Sequence, residues 1–325
     1  MPLWLTVVFL LFGLLIIIKG GDIFVDAAVS VAKATGIPKM LIGATIVSMA
    51  SALPELFISS LAAAQGSPDL SLGNNIGSII LNTGVILGIS LLARQQAVGR
   101  DFRNKGLFML LALLALIIVS LDLVIGYLDA AVLLLFFLYF IISGSREAMT
   151  VRLPEDDAPR QAIDKGRTAA RLLMGAACIV IGAQLMVKNG IELASVLGVP
   201  ERIIGLTIVA VGSSLPELVT TVTAMLKKEF SIGVGNIIGA NTLNIVLIPP
   251  VCALLSKGSL PLSLQTVHSL GGEIPTTLYI DMPMALLLFA VVLVPGIIKK
   301  RLYPWQGFLS IGLYLAYLLF IITAV

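Results

Sequence analysis

Apolar runs of membrane length alternate along the chain with short polar breaks. A helix crossing the roughly 30 Å hydrocarbon core of a bilayer needs about 20 residues. By that measure ten spans are predicted, at 3–25, 40–64, 73–93, 106–121, 127–144, 171–190, 202–226, 233–255, 278–298 and 305–324. The first run, Pro2-Leu3-Trp4 to Ile18, has no basic leader and no small-residue cleavage site, so it reads as a span rather than a signal peptide. Five spans precede and five follow the most polar stretch, Ser145 to Arg167, with its run Pro154-Glu155-Asp156-Asp157-Ala158-Pro159-Arg160. The expected fold is an all-α polytopic membrane protein of ten transmembrane helices. It divides into a five-helix repeat at 1–144, a linker at 145–170 and a second five-helix repeat at 171–325.

The two halves repeat one another at a constant offset of 162 residues. Gly36-Ile37-Pro38, Ser51-Ala52-Leu53-Pro54-Glu55 and Gly73-Asn74 through Asn82 match Gly198-Val199-Pro200, Ser213-Ser214-Leu215-Pro216-Glu217 and Gly235-Asn236 through Asn244. The match reaches back to Gly20 on Gly182, Val25 on Val187 and Ala32 on Ala194. Because each half has an odd number of spans, the second half enters from the opposite side, and the repeats are inverted. Internal symmetry of this kind is typical of secondary transporters.

Composition excludes an ordinary soluble chain. Apolar residues make up 58% and charged residues 12%, with a mean hydropathy of +1.06, where globular domains carry about 25% charge. The net charge of +3 matters less than its distribution. Loops between spans 1–2, 3–4, 5–6, 7–8 and 9–10 hold 17 of the 21 basic residues, leaving Lys19, Lys188, Arg202 and Lys257 elsewhere. The positive-inside rule then places those loops and the linker in the cytoplasm and both termini outside, in a cell inner or plasma membrane. Cys178 and Cys252 lie in apolar runs and His268 is alone, so no disulfide framework or soft-metal cluster is indicated. Nothing points to an enzyme, an organic cofactor, nucleic acid or an obligate protein partner; the lipid bilayer is the one implied surroundings.

Function is expected at the repeated glutamates, since an ionisable side chain inside a span is costly. Glu55 and Glu217 lie about 22 Å along their predicted helices, near mid-membrane. Pro54 and Pro216 lack an N–H, which frees the carbonyls of Ala50 and Gly212 one turn back. Facing one another across a pseudo-two-fold axis, these breaks bring together two carboxylates, free carbonyls and the hydroxyls of Ser51, Ser213 and Ser214. Such an all-oxygen site suits Ca²⁺ or Na⁺. Asn82 and Asn244 follow the glutamates by 27 residues each, and their amides can reach the cation or orient the opposite carboxylate. The pairs Gly73/Gly77 and Gly235/Gly239 predict close helix approach. Asp22 and Asp26 follow the first span and fall on Gln184 and Lys188 in the other repeat, while Asp69, Asp122 and Asp129 read as outer-loop charges and Asp281 as an interface charge.

In these motifs the chain resembles the calcium/cation antiporter superfamily, in the branch of compact prokaryotic sodium/calcium exchangers. That family carries Gly-(Thr/Ser)-Ser-Leu-Pro-Glu and then Gly-Asn-x-x-Gly-Ser-Asn in each half, with Asn or Asp three residues on. The matches are Ala50 to Glu55 with Gly73 to Asn82, and Gly212 to Glu217 with Gly235 to Asn244. The resemblance implies that Glu55 and Glu217 are ligands shared by Ca²⁺ and Na⁺, completed by Asn82 and Asn244. It implies that Ser51 and Ser213 line flanking Na⁺ positions, with Ser214 and Ser78 adding oxygens, and that spans 1 and 6 slide across a fixed core. The chain departs from the pattern at Ala50, Ala52, Ile79 and Ala240, which removes two hydroxyls. Asn244 stands where some relatives have Asp. The function expected is Ca²⁺/Na⁺ antiport by alternating access, with H⁺-coupled antiport as the alternative, and a channel-like pathway or a non-transporting scaffold further behind.

Overall fold

The computed structural model describes residues 3–92, 95–150, 164–196, 210–262, 265–267 and 272–324. Helices form nearly all of it: α1 (Leu3–Thr35), α2 (Lys39–Ser51), α3 (Leu53–Ala64), α4 (Pro68–Leu92), α5 (Arg100–Val119), α6 (Tyr127–Thr150), α7 (Lys165–Val196), α8 (Ala210–Ser213), α9 (Leu215–Leu226), α10 (Phe230–Leu255), α11 (Thr277–Lys299) and α12 (Pro304–Ala324). Among the described residues eight helices are long and apolar enough to cross a membrane, or nine if α2 and α3, bent by 44°, form one broken span. The protein is thus an all-α polytopic membrane fold.

Several limits differ from the expectation. α1 continues to Thr35, so Asp22 and Asp26 belong to the helix itself and not to a following loop. Residues 145–150 and 165–170 of the expected linker are helical. The charged run at 155–157, the start of the seventh span with Arg202, the Gly198-Val199-Pro200 signature and His268 lie outside the described residues. Short antiparallel ladders, which an all-helical reading does not foresee, tie loops together. β1 (Gln96–Ala97) pairs with β6 (Arg301–Leu302), β2 (Val124–Gly126) with β3 (Ser259–Pro261), and β4 (Gln265–Val267) with β5 (Gly272–Ile274).

The chain forms two compact units, each drawing on both halves of the sequence. The first comprises 1–54 and 144–236. Its apolar core packs Ile17, Phe24, Val25, Ala28 and Ala32 of α1 against Ile42 and Val47, Ile179 and Ala183, Ala224 and Ile232. α1 meets α7 through glycines that leave no room for a side chain. A Cβ on Gly13 would lie 3.0 Å from the Gly182 carbonyl oxygen, and one on Gly20 would lie 3.0 Å from that of Gly175. Gly13 and Gly20 fall on Gly175 and Gly182 at the offset of 162, so exchanging the two helices carries one contact onto the other. Lys227, at the end of α9, reaches Asp26 at 2.7 Å and Asp22 at 3.5 Å, and Lys39 pairs with Glu229 at 2.6 Å.

The second unit comprises 55–143 and 237–325. Phe102, Met109, Phe140 and Phe289 fill its centre with Ile76, Ile79, Ile80, Leu87 and Leu91. Here a proline defect is repaired from another helix. Pro295, inside α11, has no N–H for the Val291 carbonyl. The Gln306 amide at the start of α12 donates to that oxygen at 2.8 Å and to Val292 O at 3.1 Å. Its own Oε1 accepts from the Tyr303 N–H at 2.7 Å. Gln306→Leu would strand two of these groups, so we expect it to destabilise the protein by about 1–3 kcal/mol. A lowered thermal unfolding midpoint in detergent is the readout.

Candidate ion-binding site

The repeat's Pro-Glu signatures, Ala50 to Glu55 and Gly212 to Glu217, lie at two helix breaks of the same construction, while Ser78 and Asn82 lie on α4 and Asn244 on α10. Ala52, between α2 and α3, has φ −78° and ψ 0°. Ser214, its counterpart at +162 between α8 and α9, has φ −93° and ψ 9°. Both occupy the bridge region of backbone space, and proline follows two residues later. Glu55 and Glu217 are each the third residue of the next helix and are fully buried. A helix N-terminus, with its outward N–H groups, is where a carboxylate is best accommodated. α2 also carries a π-helical turn at Gly43–Val47, a defect that leaves carbonyls out of register with their donors.

In the first unit, Ser51 ends α2 while Gly212 and Ser213 lie in α8, followed by Ser214 and Glu217. All five are buried, whereas Ala50 is half-buried and packs beside the apolar core. Gly212 is required sterically, because a Cβ there would overlap the Val187 side chain of α7. Gly43 and Gly235 bring α2 and α10 together backbone to backbone. A Cβ on Gly43 would overlap Ile232 O, and one on Gly235 would overlap Met40 O.

This approach lets Asn236 of α10 join the two breaks' polar groups. Its Nδ2 donates to Thr220 Oγ1 at 2.8 Å and to Thr221 Oγ1 at 3.1 Å, and its Oδ1 accepts from Ser51 Oγ at 3.0 Å. The direction of the chain is fixed at its far end. Thr220 gives its proton to Pro216 O at 2.8 Å, so it accepts from Asn236, which in turn accepts from Ser51. Ser51 therefore presents lone pairs, not its proton, to any cation. Asn236→Ala removes the three bonds that the amide makes, and we expect it to lower the unfolding midpoint, by the equivalent of about 2 kcal/mol.

In the second unit, Glu55 lies in the first turn of α3, and Ser78 and Asn82 lie four apart on α4. An Asn82 amide proton goes to Asn241 Oδ1 at 3.2 Å. Asn241 Nδ2 donates to Thr83 Oγ1 at 2.8 Å, and Thr83 donates to Ile79 O at 3.0 Å. Asn82 Oδ1 is buried and has no hydrogen-bond partner among the described residues. Asn244, three residues beyond Asn241, has neither amide atom bonded. Asn74 donates to Ser59 Oγ at 3.0 Å, which is the bond of Asn236 to Thr221 shifted by 162 residues. The expected tight contact at Gly73 and Gly77 is not seen: no described atom lies within 4 Å of a Cβ built on either, since that side of α4 is open there.

Among the described residues no three His, Cys, Asp or Glu side chains gather, and beside Glu55 and Glu217 the polar side-chain atoms at these positions are the neutral oxygens and amides of serine, threonine and asparagine. Such ligands suit hard ions and can exchange them, since few fixed charges hold the ion in place. Sequence reading passed over Thr83, Thr220, Thr221 and Ser59. The signal was present: Thr220 and Thr221 stand three and four residues after Glu217 on one helix face, and Thr83 follows Asn82 directly.

The profile of the sodium/calcium exchanger protein family matches residues 5–143 and 168–323. The chain is 34% identical over 277 residues to the inner membrane protein YrbG of Escherichia coli (strain K12), covering 82% of this chain and 85% of that protein. It is 34% identical over 264 residues to the putative antiporter CaxA of Alkalimonas amylolytica, covering 77% and 81%. Its fold is similar to that of the sodium-calcium exchanger NCX_Mj soaked with 10 mM Na⁺ and zero Ca²⁺, with a TM-score of 0.81 at 26% identity over 97% of this chain and 98% of that one.

Proposed function

We propose, since the chain belongs to the sodium/calcium exchanger protein family, that it exchanges Ca²⁺ for Na⁺ across an inner or plasma membrane by alternating access. One observation carries this reading. Two fully buried glutamates begin helices at equivalent breaks, in a chain whose fold follows that of a sodium-calcium exchanger almost from end to end. Carboxylates set among hydroxyl, amide and main-chain oxygens make a hard-ligand site, which suits Ca²⁺ in one state and Na⁺ in the other.

Glu55 and Glu217 are the charged ligands. Asn82 and Asn244 add amide oxygens, Ser51, Ser213, Ser214 and Ser78 add hydroxyls, and Ala50 and Gly212 add main-chain carbonyls. Two negative charges balance one Ca²⁺ or two Na⁺, so the two loads exclude one another and the fluxes are coupled. In this account the ten helices are two inverted repeats of five, at 1–144 and 171–325 with a linker at 145–170. Both termini are outside and the basic loops are cytoplasmic. Three contacts support that topology: the β1–β6 ladder, the β2–β3 ladder and the Lys39–Glu229 pair each join loops assigned to one side.

A second reading, H⁺ in place of Na⁺, is favoured by one feature. Ala52 and Ala240 are buried where the other repeat has Ser214 and Ser78, so two oxygens available to Na⁺ are gone. Proteoliposomes separate the readings. Uptake of ⁴⁵Ca²⁺ into Na⁺-loaded vesicles, with none under a pH gradient alone, is expected; uptake driven by the pH gradient alone would replace Na⁺ by H⁺. Flux without any counter-gradient would mean a channel.

A further inference from the structure

The two asparagines that occupy matching places in the repeats are held differently. Asn82 is the head of a hydrogen-bond relay that ends on a main-chain carbonyl, through Asn241 and Thr83 to Ile79 O, with steps of 3.2, 2.8 and 3.0 Å. A carbonyl can only accept, so every proton in the relay points the same way. Thr83 donates, Asn241 must donate to Thr83 and accept from Asn82, and Asn82 must give its N–H. Its Oδ1 is then turned away from the relay, fully buried and unpartnered among the described residues. An orphaned buried acceptor is costly unless something positive meets it.

The other asparagine has no such support. Shifting the Asn82–Asn241 pair by the repeat offset and exchanging its members gives Asn244 with residue 79. Residue 79 is isoleucine, fully buried and without a polar atom. Thr83 likewise falls on Ile245. Asn244 accordingly has both amide atoms buried with no hydrogen bond among the described residues.

We propose that Asn241 is a positioning residue: it fixes the Asn82 carboxamide with Oδ1 toward the ion, whereas Asn244 is left to choose its own orientation. The proposal rests on the exchange reading above and assigns Asn241 no direct contact with the ion. One half of the ion site is preorganised and the other adapts. This gives a ligand that can present oxygen to Ca²⁺ or rotate when a smaller charge is bound.

The test is equilibrium ⁴⁵Ca²⁺ binding to the detergent-purified full-length protein. Asn241→Ala should weaken binding about tenfold, the worth of one buried hydrogen bond and its alignment. Added to Asn82→Ala it should weaken binding no further, because the group it positions is already gone. Added to Asn244→Ala its effect should multiply, because that side chain is independent. Thr83→Ser, which keeps the hydroxyl, should bind as wild type does, while Thr83→Val should fall with Asn241→Ala. The Thr83 pair keeps the test decisive if Asn241→Ala fails to fold. Multiplying effects of Asn82→Ala and Asn241→Ala, or equal losses in Thr83→Ser and Thr83→Val, would overturn the positioning role alone. A wild-type protein with no saturable Ca²⁺ binding would overturn the exchange reading and this inference together.

Discussion

Glu55→Ala and Glu217→Ala are each expected to abolish Na⁺-driven Ca²⁺ uptake and to weaken Ca²⁺ binding by at least about 100-fold, since unpairing a buried charge costs about 3–5 kcal/mol. Both carboxyls are at 0% exposure, so no water replaces what the substitution removes. The glutamine variants separate charge from shape. Glu55→Gln and Glu217→Gln keep the volume and an amide oxygen, and each leaves the site with one negative charge against a divalent ion. We expect them to lose Ca²⁺ nearly as fully as alanine does, because one negative charge no longer balances a divalent ion. If either glutamine variant transported Ca²⁺ at the wild-type rate, that glutamate would be a structural hydrogen-bonding group and not a ligand.

Gly43→Ala and Gly235→Ala are expected to have the second largest effect, this time on the fold. At both positions the added methyl would meet main-chain carbonyls, of Ile232 and Met40, which belong to helices and cannot rotate aside. Overpacking of this kind costs about 1–3 kcal/mol where side chains can yield, and more is expected where they cannot. The loss should also reach the site, because the same approach of α2 to α10 sets the 3.0 Å bond between Ser51 and Asn236. Gly73→Ala and Gly77→Ala are the controls, with no described atom within 4 Å of the new methyl. The expected result is a sharply lowered unfolding midpoint for the first pair and little change for the second. Equal shifts in both pairs would show that the glycines act through helix propensity instead of contact.

The succession of helices was legible because membrane spans announce themselves by length and hydropathy alone. The breaks before Glu55 and Glu217 were legible too, because proline removes a donor wherever it stands. What the sequence hid is of another kind. A π-helical turn such as Gly43–Val47 has no composition of its own, and the α10 backbone close to its first residue comes from 189 residues further along the chain. The extension of α1 to Thr35 was missed because Asp22 and Asp26 look like a helix end, whereas both lie within the helix and face Lys227, 201 residues beyond Asp26. The relay through Asn241 and Thr83 joins residues 158 apart in sequence, and only the packed unit puts them within reach. Repeat symmetry hints at such pairs only where both copies keep them, and at Ile79 one copy has not.

The central claim is that Ca²⁺ and Na⁺ occupy one acidic centre in turn. Displacement of bound ⁴⁵Ca²⁺ by Na⁺ from the purified wild-type protein tests it most directly. The account predicts complete, steep displacement that added Ca²⁺ reverses, with K⁺ and choline at the same ionic strength leaving Ca²⁺ in place. Ca²⁺ that stays bound at saturating Na⁺, or that K⁺ displaces equally well, would contradict it.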